Sequence, residues 1–308
     1  MEQTPSKHRI KQKLPLFFIF GVVIIGIILA FYSSSSTRTT LVPHVAKIEI
    51  TGTLDYSSNT ILGVSTSVDQ YIKLLEQARQ DPSVRAVIVV FDSPGGTVTA
   101  SYDLYTAMKK LSSEKVVVAY ARGSMASGAY MSACPSTKIY ASPSALVGSI
   151  GVYTSVTSVE GLLGKLGIRV YTIKSGSLKD IGSPYRNMTS DEERIMQEII
   201  NEYFTLFKSI VLENRKNVLD EVFSGRPYAP QQALKAGLID GIMTLDEAVN
   251  KTKELAGLPQ SAPVVELKPP TPGILNILFG STSSKIPINI PGIMYLAMWP
   301  PPNYIIVP

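Results

Sequence analysis

The stretch Ala121-Arg-Gly-Ser-Met-Ala-Ser-Gly-Ala-Tyr130 decides which fold and which chemistry we expect of this chain. It follows the apolar run Val116–Ala121, which predicts a buried strand, and it opens a helical stretch. Ser127 therefore lies at a predicted helix N-terminus, where free N–H groups and the helix dipole favour an oxyanion. The small side chains on either side of Ser127 would let the backbone of a peptide approach it.

A serine at the start of a helix is most often an ordinary N-cap, so Ser127 as a nucleophile requires a base within hydrogen-bond reach. The chain has only two histidines, His8 and His44, which lie before and just beyond an apolar segment. Neither is well placed to be the base of a Ser-His-Asp triad. Lysine is therefore the expected activator of Ser127.

Two lysines, Lys174 and Lys179, lie in a polar loop rich in glycine and serine after the predicted strand Arg169–Ile173. A solvated surface lysine is the default interpretation of both. A general base must be neutral at the working pH, and desolvation by substrate or by a subunit contact is the physical route to a neutral amine. Position alone does not decide between the two lysines.

The stretch Phe91-Asp-Ser-Pro-Gly-Gly-Thr97 offers donors for an oxyanion. It is a predicted strand end that turns into a helix, and its two glycines expose backbone N–H groups with no side chain in the way. The alternative is a tight turn without a chemical role. A phosphate site is disfavoured, because the chain has neither GxxxxGK[ST] nor GxGxxG after a strand.

Apolar runs that resemble buried strands alternate with amphipathic helical runs, and this pattern is typical of an α/β domain. The predicted strands are Val45–Thr53, Ala86–Asp92, Val116–Ala121, Lys138–Ala141 and Arg169–Ile173. Predicted helices begin near Thr66, Val98 and Ala126, and two more span Asp191–Asn214 and Pro230–Ala236. Ser190 is the expected N-cap of the longest helix, because Glu193 completes a capping box.

The segment Leu14–Tyr32 contains no charged residue and has about the ~20 residues needed to span a bilayer core. Lysine and arginine are frequent in residues 1–13, so the positive-inside rule keeps the N-terminus cytoplasmic. A cleaved secretory signal is the alternative, although the apolar run is long and no clear A-x-A site follows it. We therefore expect a single-pass anchor in the cell membrane, a linker over 33–44 and an extracytoplasmic domain.

Composition narrows the expected partners. The formal net charge of +5 is spread thinly and forms no basic stripe, so nucleic acid is not an expected partner. The single cysteine, Cys134, cannot form an intrachain disulfide and is expected to be a small core residue. The chain shows neither a metal-ligand spacing nor a nucleotide motif, so we expect no metal, cofactor or nucleotide.

Prolines interrupt the chain after Leu258 and argue against a long helix or a central strand in the tail, residues 259–308. Two apolar patches of the tail, Ile274–Phe279 and Ile293–Trp299, are too short to span a membrane. They are expected to lie on a bilayer, on a neighbouring subunit or, equally, on the chain's own domain.

Five motifs occur in a fixed order. They are SPGG (Ser93–Gly96), GSMASGAY (Gly123–Tyr130), KIYASPSALVGSIGV (Lys138–Val152), SGSLKDIGSP (Ser175–Pro184) and GRPYAPQQALKAGLID (Gly225–Asp240). Together they make residues 45–258 resemble the signal peptide peptidase A family of membrane-anchored serine peptidases, in its short form with one catalytic domain. Ala129-Tyr130 departs from the glycine and aromatic residue of many relatives, and the tail lies outside the resemblance.

The resemblance implies a ClpP/crotonase-like α/β fold and a Ser-Lys dyad within a peptidase domain over 45–258. It implies that Ser127 is the nucleophile and that Lys179, rather than Lys174, is the general base. Ser149 matches the residue that orients the lysine. The implied oxyanion hole consists of the backbone N–H groups of Gly95, Gly96 and Gly128.

The resemblance also implies a substrate and an assembly. Members of the family degrade remnant signal peptides left in the membrane after preprotein cleavage, with small or apolar side chains in the binding pockets. They form a membrane-seated homo-oligomeric ring whose substrate groove is shared between protomers. The alternatives are a membrane-bound protease that cuts a specific partner protein, a catalytically silent scaffold, and a crotonase-type acyl-CoA enzyme, which the anchor and the Ser-Lys pair disfavour.

Overall fold

The computed structural model describes residues 42–56 and 67–269 and, beyond them, the backbone of residues 296–298. The predicted anchor Leu14–Tyr32 and the apolar patch Ile274–Phe279 lie outside the described residues. Within the described ranges, no helix has the length and apolar character needed to cross a membrane.

A mostly parallel sheet of eight strands lies at the centre of the described chain. In chain order, the strands are β1 (His44–Thr51), β2 (Val84–Ser93), β3 (Gly95–Thr97), β4 (Val116–Ala126), β5 (Lys138–Ala141), β6 (Leu146–Gly148), β7 (Pro227–Tyr228), β8 (Gly241–Ile242), β9 (Val264–Leu267) and β10 (Leu296–Met298). The main path runs β7-β6-β4-β2-β1-β9, β5 lies between β4 and β8, and β3 pairs separately with β10. Within the eight-stranded sheet, only β6 and β7 pair antiparallel.

Helices cover both faces of this sheet. They are α1 (Val68–Gln80), α2 (Val98–Ser112), α3 (Gly128–Ala133), α4 (Glu160–Lys165), α5 (Ser190–Asn214), α6 (Pro230–Lys235) and α7 (Leu245–Leu255), with a 3₁₀ helix at Asp220–Ser224. Apolar side chains of α1, α2, α3 and α5 pack in one cluster, and α7 packs in a second cluster on the opposite face. The consecutive buried residues of β2 fit this arrangement, because a parallel strand covered on both faces has no polar side.

The predicted α/β architecture is confirmed, and four of the five predicted strands exist, Lys138–Ala141 with the predicted bounds and three with shifted ends. The prediction for Cys134 is also confirmed: the side chain is buried in the core, and burial raises the pKa of its thiol to about 12.

The predicted strand Arg169–Ile173 is wrong. These residues are irregular and Ile173 is 99% exposed, because an apolar run becomes a strand only beside a partner strand and none of the described strands lies there.

The predicted capping box of α5 is wrong by one residue. Thr189 is the N-cap: its side chain accepts the N–H of Glu192, and the Glu192 carboxylate accepts the N–H of Thr189. The sequence Thr-Ser-Asp-Glu-Glu contains two overlapping boxes, and the contacts of Glu192 with the rest of the protein select the first.

We therefore expect Thr189→Ala to lower the free energy of unfolding by about 1 kcal/mol, because a helix N-terminus loses its side-chain acceptor. Ser190→Ala is the matched control and should change it little. Urea unfolding of both variants measures the difference. Equal losses in the two variants would contradict the assignment of the cap.

Candidate active site

Ser127 lies between the end of β4 and the start of α3 in a backbone conformation that is rare for a residue with a side chain. Its φ is 53° and its ψ is −121°. Such a conformation costs on the order of 1–3 kcal/mol and persists only where the surrounding structure enforces it. The Ser127 N–H donates to the carbonyl of Gly148 at 2.7 Å, and Oγ lies 3.5 Å from the carbonyl oxygen of Gly151. The chain therefore holds a strained, buried serine at a strand-to-helix junction.

The short helix α3 is anchored by hydrogen bonds from two side-chain hydroxyl groups. The hydroxyl of Tyr130 is fully buried and donates to the carbonyl of Leu238 at 2.8 Å. The hydroxyl of Ser132 donates to the carbonyls of Gly128 and Ser101. These contacts fix the helix start next to the serine.

Ser149 occupies the equivalent position at the end of the neighbouring strand β6. Ala126 pairs with Gly148 in parallel register, so Ser127 and Ser149 are the next residues along two adjacent strands. Ser149 also has a φ of 53°, and its N–H donates to the carbonyl of Arg226. Its hydroxyl donates to the carbonyl of Gly225 at 3.2 Å, which leaves the oxygen lone pairs free to accept from an amine.

The backbone of β3 lies against Leu54. The N–H of Leu54 donates to the carbonyl of Gly95 at 2.9 Å, and the N–H of Thr97 donates to the carbonyl of Leu54 at 3.0 Å. Because consecutive residues of a strand direct their backbone groups to opposite edges, the N–H and C=O of Gly96 face away from Leu54. A Cβ on Gly96 would lie 1.9 Å from the Leu54 carbonyl oxygen, so only glycine fits this register.

The three predicted oxyanion donors have different surroundings. The N–H of Gly96 faces the outer edge of β3, where Ala297 of β10 lies opposite it. The N–H of Gly128, the first residue of α3, has no acceptor within its helix. Helix α3 packs against β3, so these two N–H groups belong to neighbouring elements. The N–H of Gly95 instead donates to Oγ of Ser93 at 3.2 Å.

An open cavity of about 450 Å³ is lined by Ser149 and by Gly151, whose carbonyl oxygen lies 3.5 Å from Oγ of Ser127. It begins at Ser149 and Gly151 and extends towards α5 and the 3₁₀ helix. Its apolar lining comes from Ile150, Val152, Ile200, Phe204 and Phe223. A cavity of this lining suits an apolar side chain of a peptide.

The two candidate lysines have different surroundings. Lys174 donates to Oδ1 of Asp180 at 2.5 Å and to the carbonyl of Ser177 at 2.7 Å, so it is a charged partner in an ion pair. Lys179 is exposed, and among the described residues its ammonium group makes no hydrogen bond or ion pair. The structure thus brings together Ser127, Ser149 and the glycine N–H groups, and within one chain it leaves Lys179 unconnected to them.

Arg186, which the sequence analysis missed, connects the lysine loop to α5. Its guanidinium binds both Asp180 and Glu192. Arg186, followed by Lys174, holds the pKa of Asp180 well below its ordinary value. Arg186, followed by the backbone of Thr189, lowers the pKa of Glu192 from its ordinary 4.5 to about 2. No short sequence motif predicts the role of Arg186, because its two partners, Asp180 and Glu192, each lie six residues away.

Comparisons with known proteins find peptidases. Residues 109–259 match the sequence profile of peptidase family S49, and residues 53–148 match that of Clp protease. A candidate protease of Synechocystis sp. is 31% identical over 268 residues, which cover 85% of this chain and 92% of the relative. A candidate signal peptide peptidase of Enterococcus faecium is 30% identical over 268 residues, which cover 83% of this chain and 78% of the relative.

Two further matches cover 61% and 99% of the matched proteins. A candidate protease of Methanocaldococcus jannaschii is 42% identical over 191 residues, and the match spans 61% of this chain and 61% of the archaeal protein. Among solved structures, a membrane-bound stomatin-specific protease aligns with 74% of this chain and 99% of its own, at 18% identity and a TM-score of 0.41.

The fit of Gly96 against Leu54 leads to a prediction for Gly96→Ala. We expect the free energy of unfolding to fall by about 1–3 kcal/mol, because the new methyl group displaces the backbone of one of the two segments. Gly161→Ala is the matched control, since nothing lies within 4 Å of a Cβ at that position. Thermal and urea unfolding measure both effects. An unchanged stability of Gly96→Ala would contradict the described register.

The Arg186 cluster leads to a prediction about pH. Because the pKa of Glu192 is lowered in the folded state, its pairing stabilises the protein above pH 4.5 and is lost as the pH falls towards about 2. Arg186→Gln should therefore lower Tm by several degrees at pH 7, with a difference from wild type that shrinks below pH 4.5. Arg194→Gln, which removes an exposed ion pair on α5, should change Tm little at any pH. A pH-independent loss in Arg186→Gln would argue against this role.

Proposed function

Because the chain belongs to peptidase family S49, it is a serine peptidase, and we propose that it degrades remnant signal peptides with a dyad of Ser127 and Lys179. The observation that carries the proposal is the strained backbone of Ser127, a buried residue that precedes Gly128 and contacts Gly151 of the apolar cavity. Strain of this kind clusters at catalytic positions, where the surrounding structure holds a reactive group in place. An ordinary helix cap needs no such conformation.

In the proposed mechanism, neutral Lys179 takes the proton of Ser127 as Oγ attacks the scissile carbonyl. The oxyanion accepts hydrogen bonds from the N–H groups of Gly96 and Gly128. The lysine then protonates the leaving amine and activates water for deacylation, as histidine does in a triad. Ser149 is the positioning residue. Its hydroxyl donates to the carbonyl of Gly225, and its lone pairs can at the same time accept a hydrogen bond from the Lys179 amine.

A second copy of the chain supplies Lys179 in this proposal. Within one chain the lysine is exposed, whereas Ser127 is 1% exposed. More than half of the large apolar side chains that are exposed in the described chain lie in residues 160–187, around Lys179. A surface of this kind indicates a protein partner, and burial against another subunit would also desolvate the amine as a general base requires.

The proposed substrate is an apolar peptide at the membrane. The lining of the cavity beside Ser149 favours apolar side chains, and a relative bears the name of a signal peptide peptidase. The predicted anchor Leu14–Tyr32, with a cytoplasmic N-terminus, would keep the catalytic domain near the outer surface of the bilayer, where such peptides remain.

Mixed oligomers test the shared dyad. Ser127→Ala and Lys179→Ala should each lose at least about 10³-fold in activity on a fluorogenic apolar peptide, because either change removes the reacting pair. Subunits of the two variants, coexpressed with different tags and purified through both, should regain activity, since one subunit supplies serine and the other lysine. Lys174→Ala is the matched control and should remain active.

Three results would contradict parts of this proposal. Mixed oligomers that stay inactive would place both members of the dyad in one chain. Full activity of Ser127→Ala would exclude Ser127 as the nucleophile, and loss of activity only in Lys174→Ala would reassign the base. The size of each oligomer, measured by light scattering, separates chemical loss from failed assembly.

Substrate choice requires its own measurement. The full chain in liposomes should degrade a released signal peptide, detected by mass spectrometry, and should leave a folded membrane protein in the same vesicle intact. Ser127→Ala serves as the matched inactive control. Cleavage of a defined site in the membrane protein, with the signal peptide untouched, would favour a protease for a specific partner.

A further inference from the structure

The strand that leads to the candidate nucleophile contains a wide bulge. Strands β2 and β4 pair in parallel on both sides of it, and the residue pairs that border it are Phe91 with Ala121 and Ser93 with Met125. Between these pairs, Asp92 of β2 faces residues 122–124 of β4, so β4 has two residues in excess. Bulges are frequent beside active sites, where they redirect a strand and the side chains that follow.

At this bulge, β4 changes its neighbour in the sheet. Before the bulge it pairs with β5, and from Ser124 to Ala126 it pairs with β6. The second pairing brings Ser127 beside Ser149. Because a parallel strand rises ~3.3 Å per residue, a β4 without the two excess residues would carry Ser127 about 7 Å past this place. The bulge therefore decides which residue of β4 occupies the site.

The carboxylate of Asp92 lies against the bulged backbone. Its Oδ1 accepts the N–H of Ser124 at 3.0 Å. In a regular ladder such a donor meets a backbone carbonyl of the neighbouring strand, so here the side chain replaces a main-chain acceptor. The backbone of Asp92 itself is regular: it pairs with Thr51 of β1, and its carbonyl accepts the N–H of Gly52 at 3.0 Å. The carboxylate is thus held by an undistorted strand.

Gly123 fits closely against the same carboxylate. A Cβ at this position would lie 2.5 Å from Oδ1 of Asp92 and 3.0 Å from its Cγ. The φ of Gly123 is outside the left-handed region, so the close approach of the carboxylate, and not the backbone conformation, accounts for the glycine. The buried hydroxyl of Ser124 has no hydrogen-bond partner among the described residues and does not help to fix the bulge.

We propose that Asp92 is a positioning residue of the peptidase, whose carboxylate holds the bulge of β4 and thereby places Ser127. The inference rests on the proposed function for the role of Ser127, whereas the contact between Asp92 and β4 does not depend on it. Only Met125 and Ala126 separate Ser124 from the serine, and the strained φ of Ser127 persists only while backbone pairing enforces it. A shift of the bulge is therefore transmitted to the serine.

Kinetics of three variants of the full chain test the proposal. Asp92→Ala should lower kcat for a fluorogenic apolar peptide about 10–100-fold and change KM less than about twofold, because a misplacement of ~1 Å can cost ~10²-fold. Asp92→Asn retains an oxygen acceptor for Ser124 and should stay within about threefold of wild type. Asp81→Ala is the matched control, since Oδ1 of Asp81 accepts the N–H of Ser83 at 2.8 Å just before β2. It should leave kcat unchanged.

Three kinetic results would overturn the proposal. The first is an equal kcat in wild type and Asp92→Ala. The second is a loss in Asp92→Asn as large as that in Asp92→Ala, because the retained acceptor would then be without effect. The third is a matching loss in Asp81→Ala, which would indicate general destabilisation.

Gly123→Ala tests the fit between the glycine and the carboxylate. Alone, it should lower kcat about tenfold, because the new methyl group meets the carboxylate and displaces the bulge. In the Asp92→Ala background the same change should cost less than about twofold, since the group that the methyl meets is gone. Independent, multiplicative losses in the double variant would contradict the proposal.

Amide hydrogen exchange separates this inference from the proposed function. In Asp92→Ala, peptides that contain Ser124 should exchange at least about tenfold faster than in wild type, whereas Asp92→Asn should retain the protection. Faster exchange without any cleavage by the wild type would uphold the contact between Asp92 and β4 and overturn the peptidase mechanism. Cleavage that is lost in Ser127→Ala, together with identical exchange in wild type and Asp92→Ala, would do the reverse.

Discussion

The hydrogen bond from the N–H of Ser127 to the carbonyl of Gly148 is the contact on which the site depends. It extends the pairing of β4 with β6 by one residue beyond the last regular pair, and it holds Ser127 in a conformation that an isolated chain would avoid. Side-chain hydroxyl groups add further contacts around it: Tyr130 anchors α3 on the carbonyl of Leu238, and Ser149 donates to the carbonyl of Gly225. The strain at the serine is thus balanced by backbone pairing and burial, which a single side-chain change in the cavity would not undo.

The two halves of the proposed dyad have opposite physical characters. The serine half is buried, paired through its backbone and built on the central sheet, whereas the lysine half lies in an irregular segment with exposed apolar side chains. Arg186 joins that segment to α5 through Asp180 and Glu192, so the segment has an internal framework although it packs little against the sheet. In the proposed oligomer, this framework of charges would keep the shape of the segment before a second subunit covers its apolar exterior.

The sequence was sufficient to predict the parts of the fold that depend on local pattern. Runs of apolar residues predicted β1, β2, β4 and β5. The glycine pair predicted the turn at β3, and the small-residue block predicted the position of Ser127; the structure brings the two elements into contact. Pairing between distant segments was beyond such reasoning. Arg169–Ile173 has the composition of a strand but no partner, whereas Leu296–Met298 lies in a proline-rich tail and has one. The overlap of two capping boxes at Thr189 and Ser190 is resolved only by the burial of Glu192.

The outer edge of β3 carries backbone groups that a further strand can cover. A glycine strand with open N–H and C=O groups binds any extended chain, because main-chain hydrogen bonds carry no sequence information. Gly96 cannot gain a side chain to block its own edge, since the carbonyl of Leu54 occupies the space a Cβ would need. The edge is covered by another strand instead, since β10 pairs with β3 in antiparallel register over three residues.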